Sequence, residues 1–452
     1  MIAPARIAVF EILSAVSAGR LDLPSAIARA RTSLPDDRDR ALAAEIATGV
    51  QRWRAALDHS IVAFSKRPID RLDGEIVEIL RLSTYQLLHL TRVPASAVVD
   101  DAVNLTRKVG RRSASGFVNA VLRAISRNRH ALPLPSRPDD ASDRAAAIAY
   151  LTVTLSHPKW LAERWLDRLG FAAAEQWMQF DNAPAPLTLR TNPFLVSRDE
   201  LIHRLQERDV LVRPGRFAPD AVTVEAGQPL RDPGVDAGWF VVQDESSQLV
   251  ALLAGASPGR RVLDTCASPG GKTTALASAA GLDSLVVACD VRDRRLSLLR
   301  RTVQATAARN VAMVQADLTS PLPFADPFDC VIVDAPCSGL GTLRRDPDIR
   351  WRRREVEIAE LAASQSVMLR HAAAVVRRGG RLIYATCSSE PEENEAIVET
   401  FLSNQPEFMP LDARTVHPAL PPEVVDGAGH LRTTPHQHGL EAFFGAVFSR
   451  RI

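Results

Sequence analysis

From residue 241 to the C-terminus the chain repeats one pattern: a short apolar run, a loop, then a stretch with helical spacing. The runs are RVLDTC (261–266), SLVVACD (284–290), VAMVQAD (311–317), FDCVIVDAP (328–336), GRLIYATC (380–387) and AFFGAVFS (442–449). Strands that are apolar on both faces must be covered on both faces, and the intervening helices can do this, so the pattern specifies a parallel sheet between helical layers. Such sheets bind ligands beyond the carboxyl ends of their strands. The residues at those ends are therefore the ones to examine for chemistry.

A chain of 452 residues exceeds what one core accommodates. Residues 1–138 read as an all-helical domain, with apolar positions at helical spacing in ILRLSTYQLLHL (79–90) and ASGFVNAVLRAISR (114–127). ALPLPSRPDDASD (131–143) has the composition of a linker. Residues 145–240 mix helices with short extended pieces, as expected of a small α+β domain. The α/β domain is expected over 241–452. With 46% hydrophobic and 24% charged residues, the composition is that of a soluble globular protein. No uncharged apolar stretch is long enough to span a bilayer, and the amino-terminal segment lacks a signal-type apolar core, so a cytoplasmic chain without membrane contact is expected.

Five cysteines occur, with no C-x-x-C and no cysteine–histidine spacing suited to zinc. Neither a disulfide framework nor a bound metal is expected. Cys289 and Cys330 lie inside apolar runs and read as small buried hydrophobes. Cys266, Cys337 and Cys387 lie at strand ends or in the loops that follow.

Within DTCASPGGKTTAL (264–276), the GGKT suggests a phosphate-binding loop. A nucleotide-hydrolysing loop of spacing G-x-x-x-x-G-K-T would need glycine at position 266, which is Cys266. An ATPase is thereby disfavoured. What remains is a glycine turn opening a helix, beyond an aspartate-tipped strand. Aspartates also end the next three runs, at Asp290, Asp317 and Asp334. Asp290 stands about 20 residues beyond the glycine turn, the distance at which an acidic side chain meets ribose hydroxyls. One such aspartate is as easily a turn cap, but an acidic rim over four units suits a ligand carrying hydroxyls and positive charge. S-adenosylmethionine has a sulfonium, an amine and a ribose diol, and NAD is disfavoured because the loop is not G-x-G-x-x-G.

DTCASPGGKT, the strand-end aspartates, DAPCSGLGTLRRDPDIRW (334–351) and YATCS (384–388) together resemble the Sun-type RNA (cytosine-5) methyltransferases. The run from Tyr85 through GFVNAVLRAISR is similar to the NusB-like domain of their bacterial ribosomal-RNA branch, RsmB, whose central segments SHPKWLAERW (156–165) and LRTN (189–192) resemble. The resemblance implies an all-α NusB-like domain, a small α+β domain and a Rossmann-like class I methyltransferase domain. It implies that Cys266, Ala267, Ser268, Pro269, Gly270, Gly271, Lys272, Asp290, Asp317 and Asp334 hold S-adenosylmethionine. Cys266 could instead be a small packing residue, and Lys272 a solvated first-turn lysine.

Cytosine C5 becomes nucleophilic only when a thiolate adds to C6, so the reaction needs a sulfur nucleophile, a group at the ring edge and a base. The resemblance assigns attack to Cys387, release to Cys337 and the ring edge to Asp334; residue types alone leave the two cysteine roles open. Nearby arginines or a helix start are expected to lower the nucleophile's pKa. Ser389 and Glu392, with Pro391 between them, have capping-box spacing.

The net charge of +2 conceals two basic clusters. Ala102 to His130 contains no acidic residue but includes Arg107, Lys108, Arg111 and Arg112. RRDPDIRWRRR (344–354) supplies Arg344, Arg345, Arg350 and Arg352 around Trp351, which could stack on a base or pack beneath the loop. These are the expected RNA contacts. Small-subunit (16S) ribosomal RNA is the expected substrate and a monomer the expected state, with transfer RNA or a non-catalytic assembly role as alternatives.

Overall fold

A computed structural model describes residues 2–231, 234 and 237–452; the stretch expected to form the α+β domain therefore includes four positions outside the described residues. The chain divides into two compact units, one of residues 1–184 with 343–353 and one of 185–342 with 354–452.

The first unit is helical throughout. Its centre is the helix Gly74–His89, which carries apolar residues on every face and is buried from Ile76 to Leu87. A helix hydrophobic all round must be enclosed, and Pro4–Ser17, Asp37–Arg52, Arg54–Ser65, Ala95–Lys108 and Ser115–Arg127 surround it. Charges that enter this core are matched. Arg81 meets Asp58 at 2.7 Å and Glu78 at 2.7 Å, and Arg6 meets Asp101 at 2.5 Å. The helices Lys159–Leu169 and Phe171–Asn182 belong to this unit. These two helices open the expected α+β stretch of 145–240 and bury Trp165 and Trp177.

Among the described residues the second unit contains two sheets. Leu187–Thr191 (β1), Leu211–Pro214 (β2), Ala221–Ala226 (β3) and Phe240–Val242 (β4) form an antiparallel sheet in the order β2-β3-β1-β4. The large sheet comprises Arg261–Asp264 (β5), Leu285–Asp290 (β6), Val311–Gln315 (β7), Phe328–Asp334 (β8), Val376–Thr386 (β9), Phe408–Leu411 (β10), Leu431–Thr433 (β11) and Phe443–Arg450 (β12). Its order is β10-β12-β9-β8-β5-β6-β7, with β11 also on β12. All six expected strands are present. The expectation of a wholly parallel sheet needs correction: β5 to β9 are parallel, but β12 runs antiparallel to β9 and bears β10 and β11 on its other side. Apolar content marks a strand as buried without specifying its direction.

Each face of the large sheet has its own core. Leu276, Val286, Ala288, Leu299 and Ile332 pack on one side, and Leu263, Val331, Val333, Tyr384 and Phe444 on the other. Successive strand residues point to opposite faces, so both faces are covered.

In the helical unit, a methyl group on Gly49 would lie 1.9 Å from the Tyr85 ring, whose hydroxyl donates to Glu45 at 2.6 Å. Gly49→Ala is expected to destabilise this unit by about 1–3 kcal/mol, read as a lower urea midpoint by circular dichroism of the full chain.

Candidate active site

The loop after β5 begins at Asp264 and ends at Gly270, which adopts φ +109° before the helix Gly271–Ala280. That left-handed value favours glycine, and a side chain would also meet Leu299 Cδ1 at 2.9 Å. The loop lies over the tip of β6, where Ala267 N–H donates to Cys289 O at 2.9 Å and Ser268 N–H to Asp290 Oδ2 at 3.2 Å. Arg295 braces the same corner, donating to Asp290 and to Ser268 O, each at 3.0 Å. Arg190 of β1 donates to Thr274 Oγ1 at 2.6 Å and to Gly271 O, so the small sheet supports the helix start.

Asp264 accepts from Thr273 Oγ1 at 2.7 Å. Burial, reinforced by the charge of Asp334, pushes its carboxyl up to about 7. Lys272, open in the sequence between a ligand contact and a solvated lysine, is partly buried and meets Asp334 at 2.7 Å. Burial disfavours its charge, but Asp334, followed by Cys387 and Asp264, outweighs this and raises its pKa. Asp317 departs from the group: it lies two residues beyond β7, exposed, and accepts from Thr319 Oγ1 at 2.7 Å and Thr319 N–H at 2.9 Å. Those two bonds hold its carboxyl below the usual range.

Parallel pairing of β8 with β9 sets Asp334 opposite Ala385. The loops leaving these neighbouring tips bring Cys337 Sγ to 3.3 Å from Cys387 Sγ. Both cysteines are partly exposed. Three contacts hold the loops in register. Ala335 N–H donates to Ala385 O at 2.8 Å, Gly341 N–H to Cys387 O at 2.9 Å, and Ser338 Oγ meets Ser388 Oγ at 3.0 Å. A Cβ at Gly341 would lie 2.0 Å from Ala442 O and 2.8 Å from Cys387 O. Only glycine permits this approach.

The Cys337 thiol is pushed well up by its contact with Cys387, by burial and by the charge of Glu393, so it is held as S–H. The Cys266 thiol is likewise pushed up by burial and by Asp264, in keeping with a packing role, and Cys289 and Cys330 are buried in the core. Ser389 and Glu392 do not form the expected capping box, because Ser389 Oγ donates to Glu390 at 2.7 Å.

The basic residues divide. Arg107, Lys108 and Arg112 are exposed on the helical unit, whereas Arg111 is half committed to Asp73 at 3.5 Å and Glu75 at 3.3 Å. Arg350, expected at RNA, requires correction: it is fully buried in the helical unit, donating to Ser156 O and Asn182 Oδ1, each at 3.0 Å. Trp351 packs there too, its indole N–H donating to Gln51 O at 2.6 Å. Arg344 donates to Pro184 O at 2.6 Å and lies over Phe180; Arg345 is partly exposed, and Arg352 is exposed beside Asp348. Sequence reasoning missed Glu393, Gly341, Arg190 and Arg295, which act through loop contacts that carry no local signature.

The mainly parallel sheet, the acidic strand tips and the glycine turn define a Rossmann-like class I methyltransferase domain, and the comparisons agree. Residues 251–449 match the 16S rRNA methyltransferase RsmB/F family, 3–127 the NusB family, and 157–231 the ferredoxin-like domain of RsmF/B-like methyltransferases. The chain is 33% identical to ribosomal RNA small subunit methyltransferase B of Pseudomonas putida over 91% of each chain. It is 34% identical to that of Citrobacter koseri, covering 82% of this chain and 84% of that one. The crystal structure of PH0851 superposes with a TM-score of 0.82 at 25% identity, covering 100% of this chain and 99% of that one. The chain belongs to the RsmB/F methyltransferase family. No group of three cysteine, histidine, aspartate or glutamate side chains is placed to hold a metal ion, and no helix is long and apolar enough to cross a membrane, among the described residues.

Because Cys337 is held protonated, brief treatment with iodoacetamide near neutral pH is expected to alkylate Cys387 first. Peptide mass spectrometry of the folded protein reads the order, and faster labelling of Cys337 would contradict the assignment.

Proposed function

We propose that this chain transfers a methyl group from S-adenosylmethionine to C5 of a cytosine in small-subunit ribosomal RNA, through a covalent bond between Cys387 and C6. The observation that carries this reading is the 3.3 Å approach of two thiol sulfurs beyond adjacent strand tips, beside the Lys272–Asp334 pair.

The donor set suits the cofactor. Asp290 lies buried at the tip of β6, where a carboxylate accepts from a ribose diol. Asp264 and Asp334 give the neighbouring tips the acidity a positive centre requires, and the N–H groups of residues 270–272 open a helix toward a carboxylate. Residues 266–272 with Asp290 and Asp334 form the cradle, and Asp317 stands at its rim, exposed beyond the end of the sheet's edge strand. When bound, S-adenosylmethionine supplies a methyl group made electrophilic by its positively charged sulfur.

Cys387 attacks C6 as the thiolate, and Asp334, anchored by Lys272, faces the polar edge of the ring. The electron pair released into the ring makes C5 nucleophilic. Release requires loss of the C5 proton and cleavage of the C6–S bond. The C5–H pair becomes the restored C5=C6 bond while sulfur departs with the C6–S pair. Cys337 passes its thiol proton to the departing Cys387 sulfur and, as thiolate, takes the proton from C5. The target base must be unpaired or flipped out to reach these groups. Arg107, Lys108 and Arg112, with the more exposed arginines of 344–352, supply the phosphate contacts.

Bisulfite sequencing of ribosomal RNA from cells with and without the gene tests the reaction: one protected cytosine is expected to lose protection, and an unchanged map would favour a non-catalytic role or another RNA. Cys387→Ser is expected to lower turnover at least about 1,000-fold. Cys337→Ala is expected instead to accumulate an RNA–protein adduct on a denaturing gel. Replacing Arg107, Lys108 and Arg112 together by alanine is expected to reduce the slope of log affinity against log salt by up to about 3, read by filter binding across a salt series.

A further inference from the structure

Glu393 is fully buried. A carboxyl group in that position is unfavourable unless donors surround it, and the three that converge on it come from both cysteine loops and from the helix behind them. Oε1 accepts from Ser338 N–H at 2.8 Å, one residue past Cys337, and from Gln365 Nε2 at 2.9 Å. Oε2 accepts from Ser388 Oγ at 2.5 Å, one residue past Cys387. The backbone of Glu393 is fixed in turn, since Tyr384 Oη of β9 donates to its carbonyl at 2.6 Å and lies 3.0 Å from Gln365 Oε1. One side chain therefore spans the two loops that carry the reacting sulfurs.

We propose that Glu393 is a positioning residue of the methyl-transfer site: its carboxyl group clamps the Cys337 and Cys387 loops together and so sets the distance between the two thiols. This deepens the function proposed above and rests on it for its consequence in turnover. The clamp itself is a claim about geometry. The physical reason for a carboxyl here is its capacity to accept several hydrogen bonds at once. Glutamine keeps the shape but replaces one acceptor oxygen with a donor. Alanine leaves Ser338 N–H, Gln365 and Ser388 without their shared acceptor.

The test uses the full-length protein and two readouts. In the first, diamide oxidises the two thiols to a disulfide, becoming a hydrazine as it takes up the two hydrogens, and the Cys337–Cys387 linked peptide is quantified by mass spectrometry over time. Glu393→Ala is expected to slow its formation about tenfold or more, with Glu393→Gln between alanine and the parent. Glu399→Ala, on the exposed face of the following helix, is expected to match the parent. In the second readout, methyl incorporation into small-subunit ribosomal RNA from cells lacking the gene is followed. For Glu393→Ala, kcat is expected to fall about 10- to 100-fold while KM for RNA stays close to the parent value. Parental disulfide and methylation rates in a folded Glu393→Ala protein would overturn the proposal. Should that variant fail to fold, Glu393→Gln, which keeps the shape and exchanges one acceptor oxygen for a donor, decides: slower disulfide formation supports the clamp, and an unchanged rate overturns it. If the parent protein itself transfers no methyl group to this RNA, the proposed function fails while the disulfide rates still judge the clamp.

Discussion

The site depends on the parallel pairing of β8 with β9. Two strands running the same way deliver their following loops to the same edge of the sheet, and the register that sets Asp334 beside Ala385 carries Cys337 and Cys387 outward together. A register shift would separate the sulfurs, and it is opposed by burial on both faces, where Val331, Val333, Leu382 and Tyr384 pack on one side and Ile332, Ile383 and Ala385 on the other. Beyond the strands the geometry passes to finer ties, the glycine at 341 that admits two backbone hydrogen bonds and the carboxyl of Glu393 between the serines.

The electrostatics of the strand tips divide the work. Asp334 and Lys272 form a partly buried pair at 2.7 Å, so the positive charge is retained beside Cys387. Burial raises the Asp264 carboxyl behind them to about 7, and Asp290 is braced by Arg295. Cys337 is kept protonated by its partner sulfur and its surroundings. A site with one protonated thiol within 3.3 Å of a second suits a cycle in which one sulfur bonds to the substrate and the other manages the proton at its release.

The strands and the helical amino-terminal unit were legible in the sequence because apolar periodicity is a local signal, and the cysteines and aspartates were legible because they stand at strand ends. What was not legible depends on partners distant in sequence. The antiparallel course of β12 follows from its connection rather than its composition. Arg350 and Trp351 sit in a basic, aromatic stretch that suggests RNA, yet Arg350 satisfies the backbone carbonyl of Ser156 and the side-chain oxygen of Asn182, and Trp351 the backbone carbonyl of Gln51. Glu393 falls in the acidic run SEPEENE, where nothing local distinguishes it from its exposed-looking neighbours, and its place is set by Ser338, 55 positions earlier.

The central claim is that Cys387 bonds to C6 of a cytosine and that restoring the ring requires loss of the C5 proton. A substrate RNA carrying 5-fluorocytosine at the target position blocks that loss, because fluorine cannot leave C5 as a proton does. Incubation with the parent protein and S-adenosylmethionine, nuclease digestion and peptide mass spectrometry should yield one modified nucleotide attached to the peptide containing Cys387. Attachment to Cys337, or no attachment on an RNA whose unsubstituted form is methylated, would contradict the account.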